Sequence, residues 1–572
     1  MTTAERQLVR SATGLLQTFN VAGVLESSDV HVAQRLTALA GEPDERVALA
    51  VALVVRALRG GSVCVGLPSV EEQVDVGDLP WPDADEWLTA VRASPLLAEP
   101  PVLRLDGDLL YLDRYWREEQ QVAEDLLAMV PSRPARALPG LSRLFPREYA
   151  EQRVAAEIAL SQGLTVLTGG PGTGKTTTVA RLLAVLAEQA QLVGTGPLRM
   201  ALAAPTGKAA ARLQEAVQLE VDKLEPVDQQ RISGLRATTL HRLLGSRPDS
   251  SSRFRHHRGN RLPHDLIVVD ETSMVSLTMM ARLLEAVRPD ARLLLAGDPD
   301  QLASVEAGAV LADIVDGLSA RRDARISELK TSHRFGESIG ALAAAIRAGN
   351  ADRVIEVLRA GGEHIEWVET EEPSEHLRKV LVPHAVRLRQ AAVLGDAAAA
   401  LATLDEHRLL CAHRRGHYGV QHWNRQVERW LTEATGEPIW SSWYVGRPVL
   451  VTANDYGLGL YNGDTGVTVR DGDGLRAVIA GAEESLEFAT SRLSDVDTMH
   501  AMTIHKSQGS QADEVTVLLP PQDSRLLTRQ LLYTAVTRAR SRVRVVGSAA
   551  SVRAGIARRA VRASGLGRRL RV

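Results

Sequence analysis

The stretch "TVLTGGPGTGKTTTVARLL", residues 165–183, decides the fold of the first half of the chain. It contains the pattern G-x-x-x-x-G-K-[ST], from Gly169 to Thr176, between an apolar β-branched run and a segment with helical apolar spacing. A strand, a glycine-rich loop and a helix in this order are typical of a phosphate-binding loop and unlike a chance turn. We therefore expect an α/β fold built around a nucleotide site.

The loop supplies most of the predicted nucleotide site. Its glycines let backbone N–H groups close around phosphate oxygens at the start of a helix. Lys175 would reach the β- and γ-phosphates, and the Thr176 hydroxyl would ligate Mg²⁺. ATP and Mg²⁺ are the expected cofactors. The residues expected to bind the nucleotide here are Gly169, Gly170, Pro171, Gly172, Thr173, Gly174, Lys175, Thr176 and Thr177.

Acidic and amide side chains follow two further predicted strands. "LIVVDETSM" places Asp270 and Glu271 at a strand end, where they suit Mg²⁺ coordination and activation of the attacking water. "LAGDPDQL" offers Gln301, which can contact the γ-phosphate or be an ordinary polar loop residue. Gln152, at the start of the helix before the loop's strand, can read the adenine edge or face solvent.

Phosphoryl transfer also favours a cation close to the γ-phosphate. The two candidates are Arg334 in "KTSHRFG" and Arg538 in "TAVTRARS", both after strand-like segments. Because arginine is abundant in this chain, either candidate could instead be an ordinary surface residue. Catalytic roles are therefore expected for Lys175, Asp270, Glu271, Gln301, Arg334 and Arg538.

Length and composition limit the class of protein. A chain of 572 residues is too long for one hydrophobic core, so three or four domains are expected. The net charge of −3, from 67 basic and 70 acidic residues, excludes a globally basic binder but allows a local basic track. No long apolar run or signal-peptide pattern is visible, which favours a cytoplasmic location. Cys64 and Cys411 form neither a disulfide framework nor a metal cluster by spacing.

The pattern of apolar residues divides the chain. Residues 1–130 show helical spacing, and "PSRPARALPG" reads as a linker. Apolar runs then alternate with helical segments in two blocks, which predicts two α/β lobes with parallel sheets flanked by helices. Residues 445–495, rich in turn residues with alternating apolar positions, predict a small β-barrel-like (SH3-like) insertion in the second lobe. The predicted domains are 1–130, 131–335 and 336–572.

Nine motifs in register make the chain similar to the superfamily 1 DNA helicases, and within them to the RecD family of bacterial exodeoxyribonuclease V (RecBCD) alpha subunits. The resemblance covers roughly residues 140–548 and depends on "GGPGTGKTTT", "AAPTGKAAARL", "TTLHRLLG", "VVDETSM", "GDPDQL", "SHRF", "NDYGLGLYNGDTG", "TIHKSQGSQ" and "YTAVTRAR". It implies two RecA-like lobes with ATP in the cleft between them. Arg538 would come from the second lobe and Arg334 from near the junction.

The same resemblance implies activity and partners. It implies an ATP-dependent motor that moves 5′-to-3′ on single-stranded DNA, unwinds duplex ends, and acts in double-strand break repair by homologous recombination. RecB-like and RecC-like subunits would complete a heterotrimer and would carry any nuclease activity. The helical residues 1–130 would dock onto them, and no membrane partner is expected.

Two DNA grips are expected, one on each lobe. Hydroxyl, backbone N–H and cationic groups at strand ends can hold phosphates without reading sequence. Aromatics are scarce, at 4%, so base stacking depends on few side chains. The expected DNA contacts are Thr206, Gly207, Lys208, Thr239 and His241 in the first lobe, and Asn454, Tyr456, Thr503, His505 and Lys506 in the second.

Two basic segments allow more than one interpretation. Residues 245–262, with several Arg and His, are either a solvated loop or a β-hairpin pin that splits the duplex. The C-terminal "IARRAVRASGLGRRLRV" could bind DNA, a partner subunit, or neither.

Two other functions compete with the motor subunit. A stand-alone 5′-to-3′ helicase or translocase would be active as the isolated chain. A P-loop switch such as a GTPase would be supported by a guanine-specifying N-K-x-D motif, which the sequence lacks.

Overall fold

The computed structural model describes residues 8–74, 76–131, 139–194, 196–247, 250–323, 326–331, 337–455, 457–472, 474–481 and 485–571. Arg334 and Tyr456, expected at the ATP and DNA sites, lie outside these ranges. Among the described helices, none combines the length and the apolar character needed to cross a membrane.

The N-terminal region is mainly helical, as expected, and also contains a small sheet. Its elements are α1 (Gly14–Val21), α2 (Ser27–Ala40), α3 (Glu45–Arg59), β1 (Val65–Gly66), α4 (Ala84–Ala93), β2 (Leu103–Asp106), β3 (Leu109–Leu112) and α5 (Asp113–Met129). The strands pair antiparallel in the order β1-β3-β2. Helix α3 lies at the centre because its apolar residues occur on most sides; Val47, Leu49 and Val54 are all buried.

The first lobe is a parallel sheet covered by helices. Its elements are α6 (Pro139–Leu144), α7 (Ala150–Ser161), β4 (Leu164–Gly169), α8 (Lys175–Val193), β5 (Met200–Ala204), α9 (Gly207–Val221), α10 (Pro226–Arg231), β6 (Ala237–Thr239), α11 (Leu240–Leu244), β7 (Ser246–Arg247), β8 (Ser250–Phe254), β9 (Leu266–Val269), α12 (Leu277–Ala286), β10 (Arg292–Gly297), α13 (Val310–Ser319) and β11 (Ile326–Leu329). The main sheet has the order β11-β4-β10-β9-β5-β6, with all pairs parallel. Strands β4 and β9 are buried along their whole length, which explains why they read as continuous apolar runs.

The second lobe repeats this plan with a smaller sheet. Its elements are α14 (Glu337–Ala348), α15 (Ala351–Ala360), β12 (Ile365–Val368), α16 (Ser374–Val393), α17 (Ala397–Glu406), β13 (His407–Cys411), α18 (Val420–Thr435), β14 (Pro448–Val451), β15 (Thr465–Asp471), β16 (Gly474–Ile479), β17 (Leu486–Ala489), β18 (Val496–Thr498), β19 (Ala501–Thr503), β20 (Ala512–Leu518), α19 (Arg529–Val536), β21 (Ala539–Val546), α20 (Ala549–Ala557) and α21 (Leu566–Arg571). The parallel sheet has the order β12-β21-β20-β13-β19.

The insertion in the second lobe is a sheet, but its closure into a barrel is not confirmed. Strands β14 to β18 pair antiparallel in the order β17-β16-β15-β14-β18, so β17 and β18 are the two ends of the described sheet. Alternating apolar residues such as Val467 and Val469 predict β15, because they lie on the same face of the strand and pack into the core of the second lobe. Closure depends on how the end strands meet, which that alternation does not determine.

The basic C-terminal segment packs against the rest of the chain. Leu566 and Leu570 of α21 are fully buried in an apolar cluster shared with α13 and α5. The Arg568 guanidinium lies 2.8 Å from the Asp108 carboxylate, and Arg562 donates to backbone carbonyls of Glu306 and Gly308 at 3.0 and 3.2 Å. The segment therefore connects the second lobe to the first lobe and to the N-terminal region. Its basic residues Arg562 and Arg568 contact other parts of the same chain.

Candidate active site and nucleic-acid interface between the lobes

The phosphate-binding loop lies between β4 and α8. Strand β4 ends at Gly169 and α8 begins at Lys175. Gly172 and Gly174 have φ values of +81° and +84°, a left-handed conformation that favours glycine. The fold thus places the loop's backbone at the start of α8, where N–H groups lack helical partners and attract anions.

The ammonium of Lys175 lies over the same loop. It donates to the carbonyl oxygens of Gly169 and Gly170 at 2.6 and 3.0 Å. The Thr173 hydroxyl donates to the Gly170 carbonyl at 2.9 Å and so closes the turn from its other end. The positive charge is therefore held at the mouth of the loop, where a phosphate chain would arrive.

Asp270 and Glu271 follow β9 directly, two strands from β4 in the sheet. The Asp270 N–H donates to the Ala203 carbonyl at 2.9 Å, which extends the pairing with β5. Burial and the adjacent Glu271 carboxylate raise the pKa of Asp270, while Lys175 opposes the rise. A cation at this position would relieve both causes, and hydroxyl and carboxylate oxygens are the ligands that Mg²⁺ prefers. Thr176 and Asp270 therefore fit a Mg²⁺ site.

Glu271 has an unusual backbone conformation. Its φ of +50° makes it one of two non-glycine residues with positive φ in the described part of the chain. Such a conformation costs about 1–3 kcal/mol and occurs often at functional sites. The turn is held by Thr272, whose buried hydroxyl donates to the Val269 carbonyl at 3.0 Å. The sequence places Glu271 at a strand end but gives no signal of this strain.

Gln301 and Arg538 meet across the cleft. The Arg538 guanidinium, from the second lobe, donates to the Gln301 side-chain oxygen at 2.8 Å. The Gln301 amide nitrogen donates to the Asp298 carboxylate at 3.0 Å, which fixes the orientation of the amide. All three side chains are buried. The structure therefore brings together two expected catalytic residues from separate lobes and adds Asp298, which sequence reasoning missed.

A cavity of about 930 Å³ connects these groups. Its lining includes Gln152, Lys175, Thr176, Thr177, Asp270, Glu271, Gln301 and Arg538, so both lobes contribute. Two further lining residues, Tyr149 and Arg181, were not expected from the sequence. The Arg181 guanidinium stacks 3.9 Å from the centre of the Tyr149 ring and also donates to the Tyr149 hydroxyl at 3.1 Å. This pair forms a wall of the cavity that Gln152 also lines.

Arg212 is another lining residue that the sequence did not indicate. It lies on α9 of the first lobe and donates to the Gly509 carbonyl at 3.1 Å and to the Gln511 side chain at 2.6 Å. The contact joins α9 to the segment that follows the predicted second-lobe DNA grip. The spacing in "AAARL" could have indicated this role. Arg212 follows Lys208 by four residues, so both lie on the same face of α9.

The three threonines expected to contact DNA each begin a helix or turn at a strand end. The hydroxyls of Thr206 and Thr239 accept from the backbone N–H groups of Ala209 and Arg242, both at 3.2 Å. The Thr503 hydroxyl accepts from the Lys506 N–H at 3.3 Å. Since β5 and β6 are neighbouring parallel strands, Thr206 and Thr239 lie on the same edge of the first-lobe sheet. Helix starts with polar caps are suited to phosphate oxygens.

The insertion of the second lobe covers the first-lobe grip. The Lys208 ammonium donates to the Thr465 hydroxyl at 3.3 Å. A Cβ at Gly207 would lie 2.9 Å from the Tyr461 Cβ, so only glycine allows this approach. Burial lowers the pKa of Lys208 to about 8, and burial also raises the pKa of the nearby Asp464 to about 6. Gly207 and Lys208 are thus in contact with the insertion as well as at the expected grip.

The second-lobe grip reaches the same loop of the insertion. The Lys506 ammonium donates to the Asn462 side chain, and the Asn462 N–H donates to the Asn454 side chain at 2.8 Å. Burial lowers the pKa of His241 and of His505, with Arg562 contributing at His505. These imidazoles are mainly neutral near pH 7 and would act by hydrogen bonding or stacking.

Of the two interpretations of residues 245–262, the structure contains a short antiparallel hairpin. Strand β7 pairs with β8, and Arg247 lies opposite Ser250. Beyond it, the Arg258 guanidinium donates to the Asp125 carboxylate of α5 at 2.8 and 3.0 Å. The segment that follows the hairpin is therefore attached to the N-terminal region.

The fold and the site together define a class. Two α/β lobes, with a phosphate-binding loop on one and a buried arginine from the other, are the arrangement expected of a superfamily 1 helicase. Family models agree: an AAA domain matches residues 152–307, a UvrD-like helicase C-terminal domain matches residues 498–546, and the N-terminal domain of RecBCD enzyme subunit RecD matches residues 21–111.

Curated relatives identify the family. The chain is 74% identical to RecBCD enzyme subunit RecD of Mycolicibacterium smegmatis over 97% of this chain and 99% of that one, and 69% identical to its counterpart in Mycobacterium tuberculosis over 98% and 97%. The chain belongs to the RecD family. It is also 31% identical to the ATP-dependent RecD2 DNA helicase of Deinococcus radiodurans, over 86% of this chain and 61% of that one.

Proposed function

We propose that this protein is an ATP-driven 5′-to-3′ single-stranded DNA translocase and helicase, the motor subunit of a RecBCD-type helicase–nuclease. The observation that carries the proposal is the buried contact between Gln301 and Arg538. It joins the loop after β10 in the first lobe to the helix end of the second lobe, beside the phosphate-binding loop. Movement of the lobes and hydrolysis at the nucleotide would therefore be linked through one pair of side chains.

Each residue of the cleft has a role that its position supports. Lys175 and the loop backbone bind the phosphates, and the wall of Tyr149 and Arg181 beside Gln152 receives the base. Glu271 orients and deprotonates the attacking water, and Arg538 offsets charge that develops on the γ-phosphoryl oxygens. Mg²⁺ held by Thr176 and Asp270 would neutralise phosphate charge. Arg334 remains a prediction for a second cation at the junction.

The DNA track would cross the carboxyl ends of β5 and β6 in the first lobe and of β19 in the second. In the first lobe it passes Thr206, Gly207, Lys208, Thr239 and His241, and in the second lobe Asn454, Tyr456, Thr503, His505 and Lys506. Backbone N–H groups, capped helix starts and two lysines recognise phosphates and not bases. Little sequence preference and a strong dependence of affinity on salt follow from this chemistry.

Partners and biological role follow from the family. RecB-like and RecC-like subunits would complete the complex and would carry nuclease activity, and the assembly would act on duplex ends in double-strand break repair by homologous recombination. Residues 1–130 would dock on those subunits, residues 131–335 and 336–572 being the two motor lobes. The β7–β8 hairpin, within 245–262, would separate the strands.

The test is unwinding of duplexes that carry either a 5′ or a 3′ single-stranded tail, with ATP hydrolysis followed in the same samples. We expect unwinding of the 5′-tailed duplex alone. Lys175→Gln should abolish both activities, because the phosphates lose their cation, while the exposed Lys379→Gln on α16 should leave both unchanged.

The other results separate the alternatives. DNA-stimulated hydrolysis without unwinding would indicate a motor that requires its partner subunits. Unwinding of the 5′-tailed duplex that RecB-like and RecC-like subunits neither bind to nor increase would favour the stand-alone helicase. ATP hydrolysis that DNA does not stimulate would contradict the proposal. Unwinding of the 3′-tailed duplex would also contradict it.

A further inference from the structure

Leu302 belongs to the first lobe by sequence but to the second lobe by packing. It follows Gln301 in the loop after β10, and its side chain is 7% exposed. It lies in the buried apolar cluster that otherwise consists of second-lobe residues, among them Leu531 and Tyr533 of α19. An apolar side chain in such a cluster resists withdrawal, because its surface would return to water.

The backbone of Leu302 is also held from the second lobe. Its N–H donates to the Thr534 hydroxyl at 2.9 Å, and its carbonyl accepts from the Gln508 amide at 2.6 Å. Thr534 and Gln508 are both buried. Both hydrogen-bonding groups of one peptide segment are therefore satisfied by side chains from across the cleft, and their separation would leave buried polar groups unpaired.

The beginning of the same loop, at Asp298, is also held by the second lobe. The Tyr533 hydroxyl donates to the Asp298 carboxylate at 3.0 Å, and the same oxygen accepts from the Gln301 amide. The second Asp298 oxygen accepts from the Asp300 N–H at 3.1 Å. Burial and the Asp298 carboxylate raise the pKa of Tyr533, so the phenol stays protonated and continues to donate.

We propose that Leu302 and Tyr533 are positioning residues that attach the loop 298–302 to the second lobe, so that Gln301 and Arg538 move as one unit. Gln301 then reaches the nucleotide only when the second lobe is in place, and α19 and the segment around Gln508 receive any displacement of the loop. This inference rests on the proposed function, since it concerns how that motor couples hydrolysis to DNA movement.

The residues proposed to attach the loop differ from those that line the nucleotide cavity. Leu302, Tyr533 and Thr534 do not line the cavity, whereas Gln301 and Arg538 do. Loosening the attachment at Leu302 should therefore leave nucleotide binding intact and change the DNA-dependent step. Tyr533 also lies beside the phosphate-binding loop, since a Cβ at Gly170 would be 3.1 Å from its hydroxyl. A residue that served only to stabilise the fold would instead affect all activities in proportion to the fraction of folded protein.

The experiment compares two pairs of full-length variants. Leu302→Ala removes the inserted side chain, and Leu302→Met keeps its volume. Tyr533→Phe removes the hydroxyl that reaches Asp298, and Tyr444→Phe removes a buried hydroxyl of the same lobe, bonded to Glu428 and His500 away from the cleft. DNA-stimulated kcat, the KM for ATP and base pairs unwound per ATP are measured for each, together with the thermal midpoint.

We expect Leu302→Ala and Tyr533→Phe to lower DNA-stimulated kcat about tenfold and to lower the base pairs unwound per ATP, with the KM for ATP changed less than about twofold in Leu302→Ala. Leu302→Met and Tyr444→Phe should resemble wild type. The inference would be overturned if Leu302→Ala and wild type unwound the same number of base pairs per ATP. It would also be overturned if Leu302→Met lost as much DNA-stimulated kcat as Leu302→Ala. Absence of DNA stimulation in wild type would instead contradict the proposed function, so the two failures are distinguishable.

Discussion

Two of the places where the lobes meet have contacts of different kinds. On the ATP side, the loop 298–302 is held by buried side chains of the second lobe and by an inserted leucine. On the DNA side, Lys208 makes a single 3.3 Å hydrogen bond to Thr465, and Tyr461 packs against Gly207. Neither Lys208 nor Tyr461 is fully buried.

This difference indicates which contact the motor keeps and which it gives up. Buried, fully paired groups cost free energy when they separate, whereas partly exposed groups exchange their partners for water or for a phosphate at little cost. We therefore expect the ATP-side contact to persist through the cycle. The DNA-side contact should open to admit the strand, because Gly207 and Lys208 are covered by the insertion.

The largest effect is expected from breaking the ATP-side pair. Arg538→Ala should lower DNA-stimulated hydrolysis about 10³-fold or more, as expected for a cation beside the transferred phosphoryl group. Gln301→Ala should lower it by a similar order, and the double variant should add little, because both side chains act as one unit. Steady-state kinetics with saturating DNA measure this. Additive losses in the double variant would show that the two residues act separately.

An intermediate effect is expected from breaking the DNA-side grip. Lys208→Ala should weaken single-stranded DNA binding about five- to tenfold at low salt and reduce the slope of log affinity against log salt by about one. Hydrolysis in the absence of DNA should not change, since Lys208 does not line the nucleotide cavity. Fluorescence titrations at several salt concentrations provide the measurement. An unchanged slope would remove Lys208 from the track.

A smaller effect is expected from pH. The pKa of Lys208 is lowered to about 8 by burial, with Arg408 and Arg212 acting in the same direction and Asp405 and Asp464 opposing them. The protonated form binds phosphate, so DNA affinity should fall as pH rises from about 7 to 9, whereas an ordinary lysine stays charged there. The pKa of Asp464 is raised only to about 6, so it remains ionised throughout this window.

Lys208→Arg provides the matched control for the pH experiment. Arginine keeps its charge across this range, so the affinity of that variant should be flat between pH 7 and 9. If wild type and Lys208→Arg fall together, another group carries the pH dependence and the lowered pKa of Lys208 is not its cause.

The sequence predicted the elements that local patterns control. The phosphate-binding loop, the acidic strand end and the parallel strands were all found, because glycine spacing and continuous apolar runs are local signals. The expected catalytic residues Gln301 and Arg538 were named, but their direct contact was not. Whether the SH3-like insertion closes into a barrel also lay beyond what alternating residues determine.

Other features depend on tertiary contacts that carry no local signal. Leu302 looks like an ordinary apolar loop residue, and only the three-dimensional structure shows that it enters the core of the other lobe. The Tyr149–Arg181 wall joins residues 32 positions apart. The backbone strain at Glu271 follows from the turn between β9 and the next helix. The basic C-terminal segment pairs with acidic residues of distant regions, such as Asp108.

The most direct test of this account locks the DNA-side contact closed with the pair Gly207→Cys and Tyr461→Cys. A Cβ at residue 207 would lie 2.9 Å from the Tyr461 Cβ, close enough for a disulfide after a small adjustment. The two native thiols, Cys64 and Cys411, are buried and should not compete. Single-stranded DNA binding and ATP hydrolysis are measured before oxidation, after it, and after reduction.

We predict that the oxidised protein loses single-stranded DNA binding and DNA stimulation, retains DNA-independent hydrolysis, and regains both lost activities on reduction. Because the reduced form carries the same substitutions, it is the control for their own effects. Equal DNA binding by the oxidised and reduced forms would contradict the account, since the strand would then not pass between Gly207 and the insertion.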